Sequence, residues 1–124
     1  MKIEHFALNV PRPGAMADWY CKHLGMTIAR RGDPKTETLF LADENGLMIE
    51  LYNDPREPHF PASTFGTQIW HLALLAGDME ADHKRLVAAG CTAVGQINTT
   101  PVGDQLAFVR DPFGFVLQLV KRAK

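Results

Sequence analysis

The chain has 124 residues, 46% of them hydrophobic and 22% charged, with a formal net charge of −1. That length suffices for one domain with a core, and the composition is that of an ordinary globular protein. The near-zero charge removes the electrostatic case for nucleic acid, and no apolar run approaches the roughly 20 residues of a membrane helix. Met1-Lys2-Ile3-Glu4-His5 enters patterned sequence directly, which reads as a chain without a signal peptide. Cys21 and Cys91 stand in no CxxC-type spacing, so a cytoplasmic protein with two reduced thiols is expected.

Residues 2–10 alternate, with Phe6, Leu8 and Val10 on one side, and predict a strand. Pro11, Pro13 and Gly14 break it. Met16, Trp19, Tyr20 and Leu24 then recur at helical spacing, and Gly25 suits the position just past a helix end. Residues 26–31 predict a short strand. Residues 36–42 and 47–52 predict a hairpin around Asn45-Gly46. Residues 53–66, with Pro55, Pro58, Pro61 and Gly66, read as a linker. The order then repeats. Residues 68–75 predict a strand. Asp78 caps a helix carrying Met79, His83, Leu86 and Val87, closed by Gly90. Residues 91–97 predict a strand, 98–104 a polar loop, and 106–110 with 115–121 a hairpin around Asp111-Pro112-Phe113-Gly114.

The pattern is βαβββ twice, and the residues themselves repeat. Ile3-Glu4-His5-Phe6-Ala7-Leu8 matches Ile69-Trp70-His71-Leu72-Ala73-Leu74, and residues 40–51 match residues 108–119. Such a repeat doubles the evidence for every assignment inside it. Module one is placed at about 1–54, the linker at about 55–66 and module two at about 67–124. Neither module is expected to fold alone, because about 60 residues bury little core.

Strand side chains alternate between faces. If Phe6, Leu8 and Val10 face the helix, then His5, Ala7 and Asn9 face away. By the same logic Met48, Glu50 and Tyr52 oppose Leu47, Ile49 and Leu51; His71 opposes Trp70 and Leu72; and Gln118 opposes Leu117 and Leu119. One polar group thus stands on the open face of each of four strands, among mostly apolar neighbours. A buried Glu without a partner is costly and tends to take up a proton. Two imidazoles, a carboxylate and an amide converging on one point satisfy one another through a divalent ion, and such donors suit Zn, Ni, Co, Mn or Fe(II). The same residues also fit a hydrogen-bonded polar cluster, with Glu50 bridging two histidines, in a binding protein without metal.

Two further stretches carry a resemblance: Asp18-Trp19-Tyr20-Cys21-Lys22-His23-Leu24-Gly25-Met26, and Phe108-Val109-Arg110-Asp111-Pro112-Phe113-Gly114. With the repeat, they make essentially the whole chain resemble the vicinal oxygen chelate superfamily, which includes glyoxalase I, bleomycin-resistance proteins and ring-cleaving dioxygenases. The resemblance implies an α+β fold in which two βαβββ modules form a curled mixed sheet around a cavity. It implies one divalent metal ion held from the first and fourth strands of each module, here by His5, Glu50, His71 and Gln118. Gln118 departs from the pattern, because metal-dependent members usually carry Glu there. This counts against dioxygenase and fosfomycin-transferase activities. Methylmalonyl-CoA epimerases use two His, one Glu and one Gln, with the Gln in the other module.

The resemblance further implies a small substrate that chelates the metal through two adjacent oxygens, with proton transfer through an enediolate or enolate. Glu50, the one carboxylate of the set, becomes both ligand and catalytic base. The expectation is a glyoxalase-like metal-dependent lyase or isomerase. The alternative is a non-catalytic, bleomycin-resistance-like protein that binds a small molecule. A homodimer is expected, since modules of this family commonly build the cavity across two chains and exposed sheet edges need cover.

Asn9, Met48 and Tyr52 share the open face and are candidate lining of a substrate pocket, with packing as the alternative. Trp70 is expected in the core, His83 on a helix face, and His23 and His59 at the surface. Arg110 reads as a solvated strand-end charge, with an anionic substrate as the alternative. The loop 98–104 has the length and composition of a lid.

Overall fold

The computed structural model describes residues 1–124 and divides them into two units, Met1–Phe60 and Pro61–Lys124. In the first, β1 (His5–Asn9), α1 (Pro13–Leu24), β2 (Thr27–Arg31), β3 (Leu39–Ala42) and β4 (Met48–Tyr52) build a four-stranded sheet in the order β1-β4-β3-β2. In the second, a 3₁₀ turn at Ala62–Thr64 precedes β5 (Leu72–Leu75), α2 (Met79–Ala88), β6 (Thr92–Thr99), β7 (Gln105–Arg110) and β8 (Val116–Lys121), in the order β5-β8-β7-β6. Each sheet is mixed. The first strand runs parallel to the last, and the other neighbours are antiparallel. This is an α+β architecture with βαβββ built twice.

Local chemistry explains the elements. α1 opens with Pro13 at its first position, where a missing N–H costs nothing, and ends on Gly25 in the left-handed conformation. Asp78 caps α2, its side chain accepting from the Ala81 N–H. The two hairpins are the same loop made twice. Asp43 Oδ1 accepts from the N–H groups of Asn45 and Leu47, and Asp111 Oδ1 from those of Phe113 and Phe115. Gly46 and Gly114 then close the turns at φ 87° and 90°, a region a side chain would strain.

The cores follow the alternation. α1 packs on β3 and β4, and its Met16, Ala17 and Tyr20 are buried, as are Leu8, Leu39, Leu41, Ile49 and Leu51 of the sheet. α2 packs on β6, β7 and β8, with Met79, Leu86, Ala107, Val109, Leu117 and Leu119 buried. Burying each large side chain contributes about 1.5–3 kcal/mol. Trp70 stands at the edge of this core, half-buried and edge-on to Phe115 at 5.5 Å.

The structure departs from the pattern in several places. β3 begins at Leu39, not at residue 36, because residues 34–37 form a turn in which the Glu37 N–H bonds the Pro34 carbonyl. β5 begins at Leu72, not near residue 68, because the backbone turns at 66–69, where the Ile69 N–H bonds the Gly66 carbonyl. β6 runs on to Thr99 through an irregularity between Val94 and Asn98. Asn9, Val116 and Val120 are buried on the face opposite the helices; for Asn9 the cause is the loop that folds over it.

Candidate functional site

In the first unit the open face brings His5 and Glu50 together. His5 Nε2 lies 3.8 Å from Glu50 Oε1, with the carboxylate side chain 23% exposed. β1 and β4 run in parallel with Ala7 opposite Glu50 and Met48 opposite His5. The other imidazole nitrogen is engaged: His5 Nδ1 is 2.7 Å from Glu4 Oε1. A carboxylate only accepts, so Nδ1 carries the proton in this contact; in the neutral imidazole Nε2 then holds the lone pair, on the side of Glu50. Phe40, opposite Glu50 on β3, meets the imidazole edge-on at 5.3 Å.

The second unit repeats the arrangement. His71 lies two residues before Ala73, and Ala73 is opposite Gln118. Phe108 is opposite Gln118 on β7 and meets His71 edge-on at 5.4 Å. His71 Nδ1 donates to the Thr67 carbonyl at 2.7 Å, which again leaves the Nε2 lone pair available. His71 is thus oriented by the turn before β5, where the sequence pattern had it in mid-strand. Gln118 is half-buried.

His5 and Glu50 are donors of the kind that bind divalent ions. Metal-bound imidazoles almost always donate their second nitrogen to a carboxylate or carbonyl, which fixes tautomer and ring orientation. Both imidazoles here do so. Two donors bound at ~2.0–2.2 Å to one ion stand roughly 3–4 Å apart, and the His5–Glu50 separation falls in that range. No three His, Cys, Asp or Glu side chains of the chain form a group that could hold a metal ion. The first unit brings one pair of donors together, His5 with Glu50; in the second, register alone relates His71 to Gln118, through Ala73.

Other candidates resolve as follows. Met48 and Tyr52 flank Glu50 on β4, both half-buried. The Asn9 amide is spent on backbone: Nδ2 lies 3.0 Å from the carbonyls of Asp54 and Glu57 and 3.2 Å from that of Pro58, and Oδ1 accepts from the Asp54 N–H at 2.8 Å. It pins the loop after β4. Arg110 is no solvated charge. It donates to the carbonyls of Ala62, Gly114 and Phe65, tying the 3₁₀ turn to the β7–β8 hairpin. His23 meets Trp19 at 5.0 Å with the two rings tilted by 47°, and His59 Nε2 is 2.9 Å from Asn53 Oδ1. His83 Nε2 is buried without a hydrogen-bond partner. Cys91 is buried, and that burial pushes its thiol up to about 12, which leaves it unreactive.

Sequence reasoning missed Glu4, Thr67, Phe40 and Phe108. The two phenylalanines were within reach, because they occupy equivalent repeat positions and the hairpin register sets them beside Glu50 and Gln118. Glu4 and Thr67 had no such signal.

The βαβββ arrangement built twice sets the class of fold. The chain belongs to the Glyoxalase/Bleomycin resistance protein/Dioxygenase superfamily, which it matches over residues 2–119. Comparison with curated proteins gives no match. Among solved structures it is similar to TnmS3, described as an antibiotic binding protein from Streptomyces, with 25% identity, a TM-score of 0.74, and 99% of this chain and 97% of that one covered. A glyoxalase family protein from Enterococcus faecalis shares 23% identity at a TM-score of 0.72, with 96% of both chains covered. A glyoxalase I variant from Zea mays shares 24% at 0.75; 99% of this chain aligns, spanning 46% of the maize one.

Proposed function

We propose that the protein is a metal-dependent lyase or isomerase of glyoxalase type, acting on a small molecule that presents two adjacent oxygens. His5, Glu50, His71 and Gln118 would hold one divalent ion, with the Gln118 carbonyl oxygen as the weakest donor. The observation that carries the reading is the matched pair of imidazoles, each with Nδ1 committed to an acceptor and Nε2 available. The four donors would come from one chain or from two chains of a homodimer.

When bound, the ion supplies Lewis acidity, which makes a C–H beside a chelated carbonyl easier to deprotonate. The residues do the rest. Glu50 takes the proton and returns it, being the one carboxylate of the donor set. Gln118 cannot take up a proton usefully, so the transfer uses one base on one face. Phe40 and Phe108 set apolar rings against the two imidazoles. Glu4 and the Thr67 carbonyl hold the two rings in the ligating orientation.

A second reading has its own support. Gln118 stands where a carboxylate is usual, and one similar structure is described as an antibiotic binding protein. In that reading the same face holds a small molecule without metal or turnover. The test is calorimetric titration of metal-free protein with Zn or Ni, for the parent, His5→Ala and His71→Ala. Saturation at one ion per site, lost in both variants, supports the metal reading. Binding that survives both substitutions, or none in the parent, favours the binding protein.

A further inference from the structure

The open face of the first unit continues past Glu50 to a cation. Phe40 is opposite Glu50 in the β3–β4 register, and Arg30 is opposite Phe40 in the β2–β3 register. The side chains touch in sequence: the Arg30 guanidinium lies over the Phe40 ring at 5.5 Å, and Phe40 meets the His5 ring at 5.3 Å. Those two distances place the guanidinium within about 11 Å of the imidazole.

Arg30 reaches this face by a local irregularity. Ile28 is opposite Leu41, a fully buried residue on the helix side. Strict alternation would send Arg30, two residues on, to that same side. The register shifts between Ile28 and Arg30, and Arg30 emerges opposite Phe40 on the open face, while Arg31 takes the side of Leu39. Bulges commonly re-aim a side chain next to a functional site. The second unit keeps the row but not the charge, because Val94 is opposite Phe108 where Arg30 is opposite Phe40. The cation is a property of one unit, and the repeat does not require it. It rests over an aromatic face and the residue remains exposed.

We propose that Arg30 recognises an anionic group on the substrate, so that the site takes small molecules with two adjacent oxygens at one end and a carboxylate or phosphate at the other. This rests on the reading of His5 and Glu50 as the chelating end. With bonds of ~1.5 Å, roughly four to six atoms between the ends span the gap.

The test uses six-carbon hydroxamates, which chelate through two adjacent oxygens and end in a carboxylate, a phosphonate or a neutral amide. Each is titrated calorimetrically into zinc-loaded parent, Arg30→Met and Arg31→Met. In the parent and Arg31→Met the anionic probes bind about tenfold tighter than the amide, the scale of a partly solvated charge-assisted contact. In Arg30→Met, which keeps an apolar stem on Phe40, the ratio falls to about one. The amide probe is the reference within each protein, so a general loss of binding does not imitate the effect. Whether the carboxylate or the phosphonate gains more identifies the anion. Equal affinities in the parent, a ratio that survives Arg30→Met, or no binding of any probe overturns the proposal. If the parent takes up no zinc, the metal reading falls separately. The same three probes titrated into metal-free protein then decide Arg30 by the same ratio.

Discussion

Exchanging charge between the two modules tests the donor set directly. Glu50→Gln removes a carboxylate whose side chain is 23% exposed and whose Oε1 lies 3.8 Å from His5 Nε2. With the carboxylate charge about 3 Å from a dication and fully water-like screening, Coulomb's law gives about 2.8 kcal/mol. That is roughly a hundredfold in affinity. The figure is a floor, because a three-quarters buried carboxylate is screened less than one in bulk water. Gln118→Glu adds a charge at the matching place on β8, beside Phe108, and affinity should rise by about a hundredfold on the same reasoning. The double exchange should return affinity toward that of the parent, since the net charge of the donor set is restored. The assay is calorimetric titration with Ni or Zn, with thermal melts to show that each variant is folded. The same series read by turnover should lose any lyase or isomerase activity in Glu50→Gln. Should Glu50→Gln bind metal as tightly as the parent, Glu50 is not a ligand and the binding-protein reading takes its place.

Arg110→Met should lower stability by about 2 kcal/mol, the scale of charged hydrogen bonds lost to partly buried carbonyls, and thermal melting would read it. A Tm within a degree of the parent's would show that the clamp is redundant. Acid should loosen the loop after β4. The Asp54 carboxyl is held at about 2 by its hydrogen bonds from the Arg56 side chain and backbone. A depressed folded-state value stabilises above the ordinary carboxylate range, and that contribution disappears as pH falls from about 4 through about 2. Amide exchange at Arg56 and Glu57 should therefore quicken in that window and be insensitive to it in Asp54→Asn. Light scattering at micromolar concentration should report a dimer, since β1 and β5 each end a sheet with an edge unpaired within its unit. A monomer that still binds one ion through both histidines would place all four donors in one chain.

What the sequence determined by itself was set by short-range chemistry. The period of Leu8, Val10, Leu39, Leu41, Ile49 and Leu51 defines which face is buried, because alternation is a property of the strand backbone. Asp43 and Asp111 with Gly46 and Gly114 specify two hairpins within five residues each, and the repeat carried every such assignment over to the second unit. That His5 and Glu50 share the open face followed from that alternation; that their strands lie side by side in parallel was decided by the fold. Tertiary structure decided what depends on residues far apart in the chain or on a local break in alternation. Asn9 is consumed by a loop some 45 to 49 residues away, and Arg110 by carbonyls 45 and 48 residues before it. No periodicity encodes such contacts. The orientation of His71 comes from a turn that ends before its strand begins, and the placement of Arg30 from a single register shift in β2. Each reverses or removes an expectation of strict alternation, and a one-residue slip is enough, because the side-chain period of a strand is only two residues.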